Sequence, residues 1–309
     1  MVPSFHPIVA FTPLRPMPPT WKIALAQIDI AFADPQRNLA RMCDLVRRTA
    51  ASGARLTLFP EAALTGYCFE SLDEARPLAE PIPGPSTQTM QEVCRERGVF
   101  AIYGMLELDG PRVFNAAVLV GPDGVVGAYR KIHLPYLGVD RFTTPGDRPF
   151  AVHEADGLRI GMHICYDGGF PESARVLTLL GADLIVLPTN WPPGAQCMAG
   201  CAVNTRAMEN HVYYAACDRV GQERGFRFLG RSKICDPRGE VLAEAPHDRE
   251  EILYAQIDPA RARNKRIVRV PGLHVIDRLG DRRPEMYGPL VAPVPPSQRR
   301  SRQSEGDGP

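Results

Sequence analysis

Short apolar runs, each stopping on a polar or reactive side chain, recur along this chain, and that rhythm leaves few folds open. Trp21 opens the β-rich run WKIALAQIDI, and a turn at Asp34-Pro35 leads into a helical stretch from Asn38 to Ser52 with Leu39, Met42, Leu45 and Val46 on one face. Gly53 ends that helix, and a second buried strand, Leu56 to Phe59, runs into Pro60-Glu61, so a carboxylate sits at a strand's end. A helix over about Ser86 to Arg97, capped by Ser86 and stopped by Gly98, precedes the runs VFAIYGMLEL, VFNAAVLV and GVVGAYRK. Turn signals at Asp109-Gly110 and Asp123-Gly124 predict that these three are successive antiparallel neighbours, the last closing on Lys131.

A Pro- and Gly-rich loop to Pro149 separates this half from LRIGMHIC, an apolar strand with Cys165 at its end, which opens into a helix from Pro171 to Leu180. Beyond Gly181 come ADLIVLPTNW, a helix from about Gln196 to Asn210, the strand VYYAAC, and strand pairs near RSKICD, EVLAEA and EILYAQID. The second half repeats the rhythm of the first with no low-complexity linker between them. One α/β domain is therefore expected over residues 21–290, with two sheets packed together and flanked by helices. The first twenty residues hold six prolines and read as a flexible arm, without the pattern of a secretory signal. Residues 291–309, rich in Pro, Arg and Ser, read as a disordered tail.

Composition narrows the function classes. With 44% apolar and 23% charged residues the chain is of ordinary globular make-up, and a formal net charge of +1 offers no global field for nucleic acid or an anionic membrane. No apolar run approaches the length needed to span a bilayer. A small-molecule partner is expected instead. The eight cysteines are scattered without a Cys-x-x-Cys pair, which predicts reduced thiols and a cytoplasmic location. Cys197 and Cys201 share a helix face but lack a second pair at zinc spacing, so no metal and no cofactor is expected.

Three segments carry chemistry: Phe59-Pro60-Glu61 with Gly66-Tyr67 behind it, Tyr129-Arg130-Lys131 with His133-Leu134-Pro135, and Cys165-Tyr166-Asp167 with Phe170-Pro171-Glu172. Asn190-Trp191-Pro192 and Arg206-Ala207-Met208-Glu209-Asn210 follow. In order and spacing these segments resemble the nitrilase superfamily of carbon-nitrogen hydrolases, over roughly Trp21 to Leu290. The resemblance implies a four-layer αββα sandwich of two mixed sheets flanked by helices, and a catalytic set of Glu61, Lys131 and Cys165. A thiol that attacks an amide carbonyl must lose its proton, and a carboxylate within reach can accept it and later deliver it to the leaving amine. Glu61 takes that part. The oxyanion formed by attack needs fixed donors, here Lys131 and the backbone N–H of Tyr166. A thioester is the implied intermediate.

Many members of the superfamily carry a second Glu between the Lys and a Pro-Gly. Here IHLPYLGVDRFTT lies between Lys131 and Pro145-Gly146, so Asp140 is the nearest carboxylate, either a shorter substitute or an ion-pair partner of Arg141. Tyr67, Tyr136, Phe170, Asn190 and Trp191 are candidate walls of the substrate pocket. His133 and His163 are expected to be structural, and Glu172 and Arg175 to form a helix-surface pair. Tyr166 and Asp167 follow the nucleophile where nitrile-hydrolysing members usually have Trp and Glu, which favours amides. The expected activity is hydrolysis of a small aliphatic amide to carboxylate and ammonia. N-carbamoyl amide hydrolysis is the alternative, with Arg141, Arg206 or Arg219 to hold a carboxylate, then nitrile hydrolysis, and from another class a non-catalytic scaffold. The family also implies a homodimer or higher homo-oligomer, through the helices after the nucleophile and segments such as Asp281 to Leu290.

Overall fold

The computed structural model describes residues 20–295. Sixteen strands and six α-helices follow one another along them. The first half contains β1 (Trp21–Gln27), α1 (Pro35–Ala51), β2 (Leu56–Leu58), α2 (Leu72–Ala75), α3 (Pro85–Arg97), β3 (Phe100–Asp109), β4 (Arg112–Gly121) and β5 (Gly124–Arg130). The second contains β6 (Val152–Ala155), β7 (Leu158–Met162), α4 (Pro171–Leu179), β8 (Leu184–Thr189), α5 (Val203–Asn210), β9 (Tyr213–Asp218) and the hairpin β10 (Gln222–Glu223) and β11 (Phe226–Arg227). β12 (Lys233–Cys235), β13 (Val241–Glu244), β14 (Glu251–Ile257), α6 (Pro259–Arg263), β15 (Ile267–Val270) and β16 (His274–Ile276) complete it.

Two six-stranded sheets result, in the orders β14-β1-β2-β3-β4-β5 and β13-β12-β9-β8-β7-β6. Each is mixed: β1, β2 and β3 are parallel, as are β7, β8 and β9, with antiparallel neighbours on either side. The period of two along a strand decides what each residue packs against. Ile23 and Leu25 of β1, Ile102 of β3 and Leu119 of β4 join Leu158, Ile160 and Met162 of β7 in the core between the sheets. Their neighbours Ala26, Ala101, Tyr103, Val118 and Val120 face the other way, onto Met42, Leu45 and Val46 of α1 and Met90 and Val93 of α3. On the far side α4 and α5 add Leu177, Val203 and Ala207 to the main core. Burying each such aliphatic side chain contributes about 1.5 to 3 kcal/mol relative to leaving it in water. The architecture is the expected one, two mixed sheets between layers of helix.

Element boundaries differ from the sequence reading at points with identifiable causes. The first helix starts at Pro35, because Asp34 is its cap and accepts from the Arg37 N–H at 3.1 Å. Helix α3 starts at Pro85 with Gly84 as its cap, while Ser86 is inside and buried, bonded to the Tyr103 hydroxyl. The Thr87 hydroxyl, three positions into the helix, reaches back to accept from the N–H of the cap residue Gly84. Strand β6 lies between the loop ending at Pro149 and β7, where the sequence names no element, and pairs with β7 as a hairpin. β7 stops at Met162, so Cys165 opens a 3₁₀ turn, Cys165–Gly169, instead of ending the strand. The helix before β9 contains a π-helical segment, Met198–Ala202. The proposed arm, apart from Thr20, and the tail beyond Pro295 lie outside the described residues.

Candidate active site

Glu61, Lys131 and Cys165 leave three different strands at the same end of the sandwich. After β2 the chain stays bonded to β3, with the Gly104 N–H donating to the Pro60 carbonyl at 3.1 Å and the Leu64 N–H to the Gly104 carbonyl at 3.0 Å. Only glycine allows that approach, since a Cβ on Gly104 would lie 2.2 Å from the Ala62 nitrogen and 2.7 Å from Glu61 Cα. Lys131 follows β5 directly; its N–H donates to the Asn115 carbonyl, and its own carbonyl accepts from the Gly146 N–H, both at 2.8 Å. Cys165 has φ +44°, a left-handed conformation that costs an L-residue roughly 1 to 2 kcal/mol. Buried Asp167 ties that turn to the loop after β5, accepting from the Ile164 N–H, the Tyr129 hydroxyl and the His133 N–H.

The carboxylates and the ammonium form a closed ring. Lys131 Nζ donates to Glu61 Oε1 at 2.7 Å and to Asp140 Oδ2 at 2.5 Å. Asn115 Nδ2 donates to the same Glu61 oxygen at 2.7 Å and to Asp140 Oδ1 at 2.9 Å. The Tyr67 hydroxyl lies 2.8 Å from Asp140 Oδ2. All five side chains are buried. Glu61 Oε2 is left without a partner. Burial pushes the Glu61 carboxyl up, against the pull of Lys131, and the charge of Asp140 pushes it further. Burial acts to depress Lys131, but Asp140 and Glu61 outweigh it and hold the ammonium above its usual range. The Cys165 thiol is pushed up by burial and by Glu61, and drawn down by Lys131 and by contacts to Thr189 and the Asn190 backbone. An acceptor with nothing to accept, a fixed cation and a thiol are thus all buried and electrostatically linked.

The remaining expected residues fall in several places. Asp140 is on Lys131, while Arg141 turns away to the carbonyls of Gly138 and Phe69. Tyr67 is buried against Asp140, its ring centroid 5.8 Å from Lys131 Nζ. Tyr166 is exposed and meets the edge of Phe170, on which the His133 ring stacks at 3.7 Å. Tyr136 lines a cavity of about 390 Å³ with Leu137, Arg141, Arg224 and Phe226. Asn190 is buried with both side-chain polar atoms unpartnered. Trp191 is core, its backbone N–H held by Asp218 Oδ1 at 2.8 Å.

His163 is structural, buried between the Ser173 and Tyr214 hydroxyls. Arg175 donates to the Glu209 carbonyl, and among the described residues no ion pair joins it to Glu172. Arg219 is fully buried on Glu223 and Asp29, and Arg206 is bonded to Gly168 and Glu209. Among the described residues no cluster of His, Cys, Asp and Glu has the make-up of a metal site, and no helix is long and apolar enough to cross a membrane. Asn115 was not anticipated. Its signal is in the sequence, a carboxamide in the middle of the apolar run VFNAAVLV, where burial demands polar partners.

Comparison with known proteins places the chain in a family. A family model described as carbon-nitrogen hydrolase matches residues 22–267. A Pyrococcus abyssi protein named nitrilase is 41% identical over 267 residues, 86% of this chain and 98% of that one. An (R)-stereoselective amidase of Pseudomonas sp. is 34% identical over 244 residues, 78% of this chain and 87% of that one. The solved structure of an amidase from Nesterenkonia sp. aligns with a TM-score of 0.73 at 25% identity, covering 90% of this chain and 98% of its own. A variant of that amidase shows covalent addition of the acetamide moiety of fluoroacetamide at its active-site cysteine. This chain therefore belongs to the carbon-nitrogen hydrolase family of the nitrilase superfamily, as one of its hydrolases of carbon-nitrogen bonds.

Proposed function

We propose that the protein hydrolyses a small aliphatic amide to a carboxylate and ammonia through a thioester on Cys165. The observation that carries this reading is the convergence of Glu61, Lys131 and Cys165, from three strand ends on two sheets, into one buried space where the thiol feels both charges. Glu61 Oε2 takes the thiol proton as sulfur bonds to the amide carbon, and the carbonyl π electrons move to oxygen. Lys131 and the Tyr166 N–H stabilise that oxyanion. Collapse breaks the carbon-nitrogen bond while Glu61 returns the proton to nitrogen, releasing ammonia and leaving the thioester. Water then gives a proton to Glu61 and attacks the acyl carbon, and sulfur leaves with that proton. Asp140 holds Lys131 in place for both halves. The substrate is a free small molecule and the working form a homodimer or larger homo-oligomer in the cytoplasm.

The Nesterenkonia amidase, with its cysteine adduct, supports this chemistry, while the Pyrococcus relative's name keeps nitriles on the test panel. Ammonia release from short aliphatic amides, nitriles and N-carbamoyl amino acids is the test, with Cys165→Ala and Glu61→Gln beside the wild type. Release from amides that both substitutions abolish is the expected result. Release confined to nitriles or carbamoyl compounds, or release that survives Cys165→Ala, refutes the reading.

A further inference from the structure

We infer that Asn115 is a positioning residue for the hydrolysis: its one amide group fixes Glu61 and Asp140 together, and so selects Glu61 Oε2 as the oxygen that exchanges the proton. The inference rests on the amide-hydrolase reading and adds to it a residue that the Glu-Lys-Cys set does not include.

The geometry runs through both hydrogens of one NH₂ group. Nδ2 donates to Glu61 Oε1 at 2.7 Å and to Asp140 Oδ1 at 2.9 Å, and Lys131 Nζ donates to the other edge of the same pair. Glu61 Oε1 therefore accepts twice, and Oε2 remains buried and unpartnered. A carboxylate held through one oxygen cannot rotate to present that oxygen to the thiol without giving up both bonds, so the free oxygen is the one that faces the reaction. Asn115 is itself fixed through its backbone, since its carbonyl accepts from the Lys131 N–H at 2.8 Å and its strand pairs on both sides. The residue that aligns the base is thus covalently and by hydrogen bond part of the segment that sets the cation.

The same contact explains how an aspartate works opposite Lys131. Asp140 is one methylene shorter than glutamate, and a short side chain reaching for a buried ammonium is accurately placed only when both its oxygens are held. Asn115 holds Oδ1, and Tyr67 and Lys131 hold Oδ2. The Asn115 N–H also favours the charged form of Glu61, opposing burial and Asp140. Losing it moves the carboxyl further up, so the ionised base is present only at higher pH.

The experiment compares wild type with Asn115→Ala and Asn115→Leu, the second keeping the size and the neutral charge while removing the donor. Two quantities are read across pH: ammonia release per active site, and the rate of Cys165 alkylation by chloroacetone, a small electrophile with no carbon-nitrogen bond to hydrolyse, followed by mass spectrometry with Glu61→Gln as the reference for a lost base. The expected result is a fall in kcat of about ten- to a hundredfold with KM changed less than about threefold. The acid limb of both profiles moves to higher pH, and Tyr67→Phe gives a smaller fall in kcat. A purely structural role would lower the fraction of sites that label but leave the limb and the rate per labelled site where they were; that outcome overturns the inference. If Asn115→Ala does not fold, the neutral Asn115→Leu decides it alone. Alkylation needs no turnover, so silence on every amide would refute the amidase reading while the alkylation profile still judged Asn115.

Discussion

Replacing Asp140 by asparagine keeps the side chain's size and removes one negative charge 2.5 Å from Lys131 Nζ. Glu61 Oε1 and Asp140 Oδ2 share that ammonium at 2.7 and 2.5 Å. They therefore stand no more than about 5 Å apart, where two unit charges repel by roughly 3 kcal/mol at an effective dielectric of about 20. That energy corresponds to on the order of two pH units in the titration of Glu61. Asp140 pushes Glu61 up, so its neutralisation lets the carboxyl fall. The base is then ionised at lower pH, and the acid limb of kcat/KM shifts downward by about one to two units. The plateau falls at the same time, because Lys131 exchanges a charge-assisted bond for a neutral one, a loss of about 1 to 1.5 kcal/mol or roughly five- to tenfold in rate. Ammonia release measured across the acid and neutral range, per labelled active site, reads both effects. A limb that stays in place, or moves upward as in the Asn115 variants, refutes the electrostatic account of the ring.

Two further expectations concern stability. Arg130, buried on Glu107 through bonds of 2.8 and 2.6 Å, leaves that buried carboxylate only the more distant Arg148 guanidinium at 3.8 Å when replaced by methionine, which costs about 3 to 5 kcal/mol in urea-induced unfolding; a cost under about 1 kcal/mol would show that Glu107 is accommodated otherwise. Burial lowers His163 from 6.5 to about 4, so the folded state holds it neutral while the unfolded state takes up a proton first. Stability from this residue is present above about pH 6.5 and is lost as pH falls toward 4, by roughly 3 kcal/mol in all. Denaturant midpoints across that interval should slope in the wild type and flatten in His163→Gln; an equal slope in both would place the titration elsewhere.

The alternation of Ile23 and Leu25 with Ala26, and of Ile102 with Tyr103, makes the sheets legible, because each face has its own partner and the period is read directly. Glu61, Lys131 and Cys165 are legible for a related reason: each stands where an apolar run stops, and a polar side chain at such a place is presented to a shared edge of the sandwich. β6 was not legible, since Val152–Ala155 is short and half-polar and exists only because β7 offers it an edge. Asn115 hid inside a run whose other members are apolar, and a strand pattern records which face a residue takes, not which partner awaits it there. Asp140 could be named as the nearest carboxylate, but its choice of Lys131 over Arg141 depends on a turn, Gly138–Arg141, that brings together residues nine positions apart.

Glu61, Asn115 and Lys131 stand on one sheet, while Cys165, Thr189 and Asn190 stand on the other. The distance from base to nucleophile is therefore set by the thickness of the hydrophobic layer between them, as a spacer sets the gap of a caliper. Cys217, on β9 of the second sheet, reaches across to the first, its sulfhydryl 3.4 Å from the Ala26 carbonyl and 3.3 Å from that of Leu58. Side chains that never meet a substrate, such as Leu25, Met162 and Leu187, are in this sense its gauge blocks. On that geometry, a methylene added to the interior layer is expected to widen the gap and lower activity while every strand remains paired.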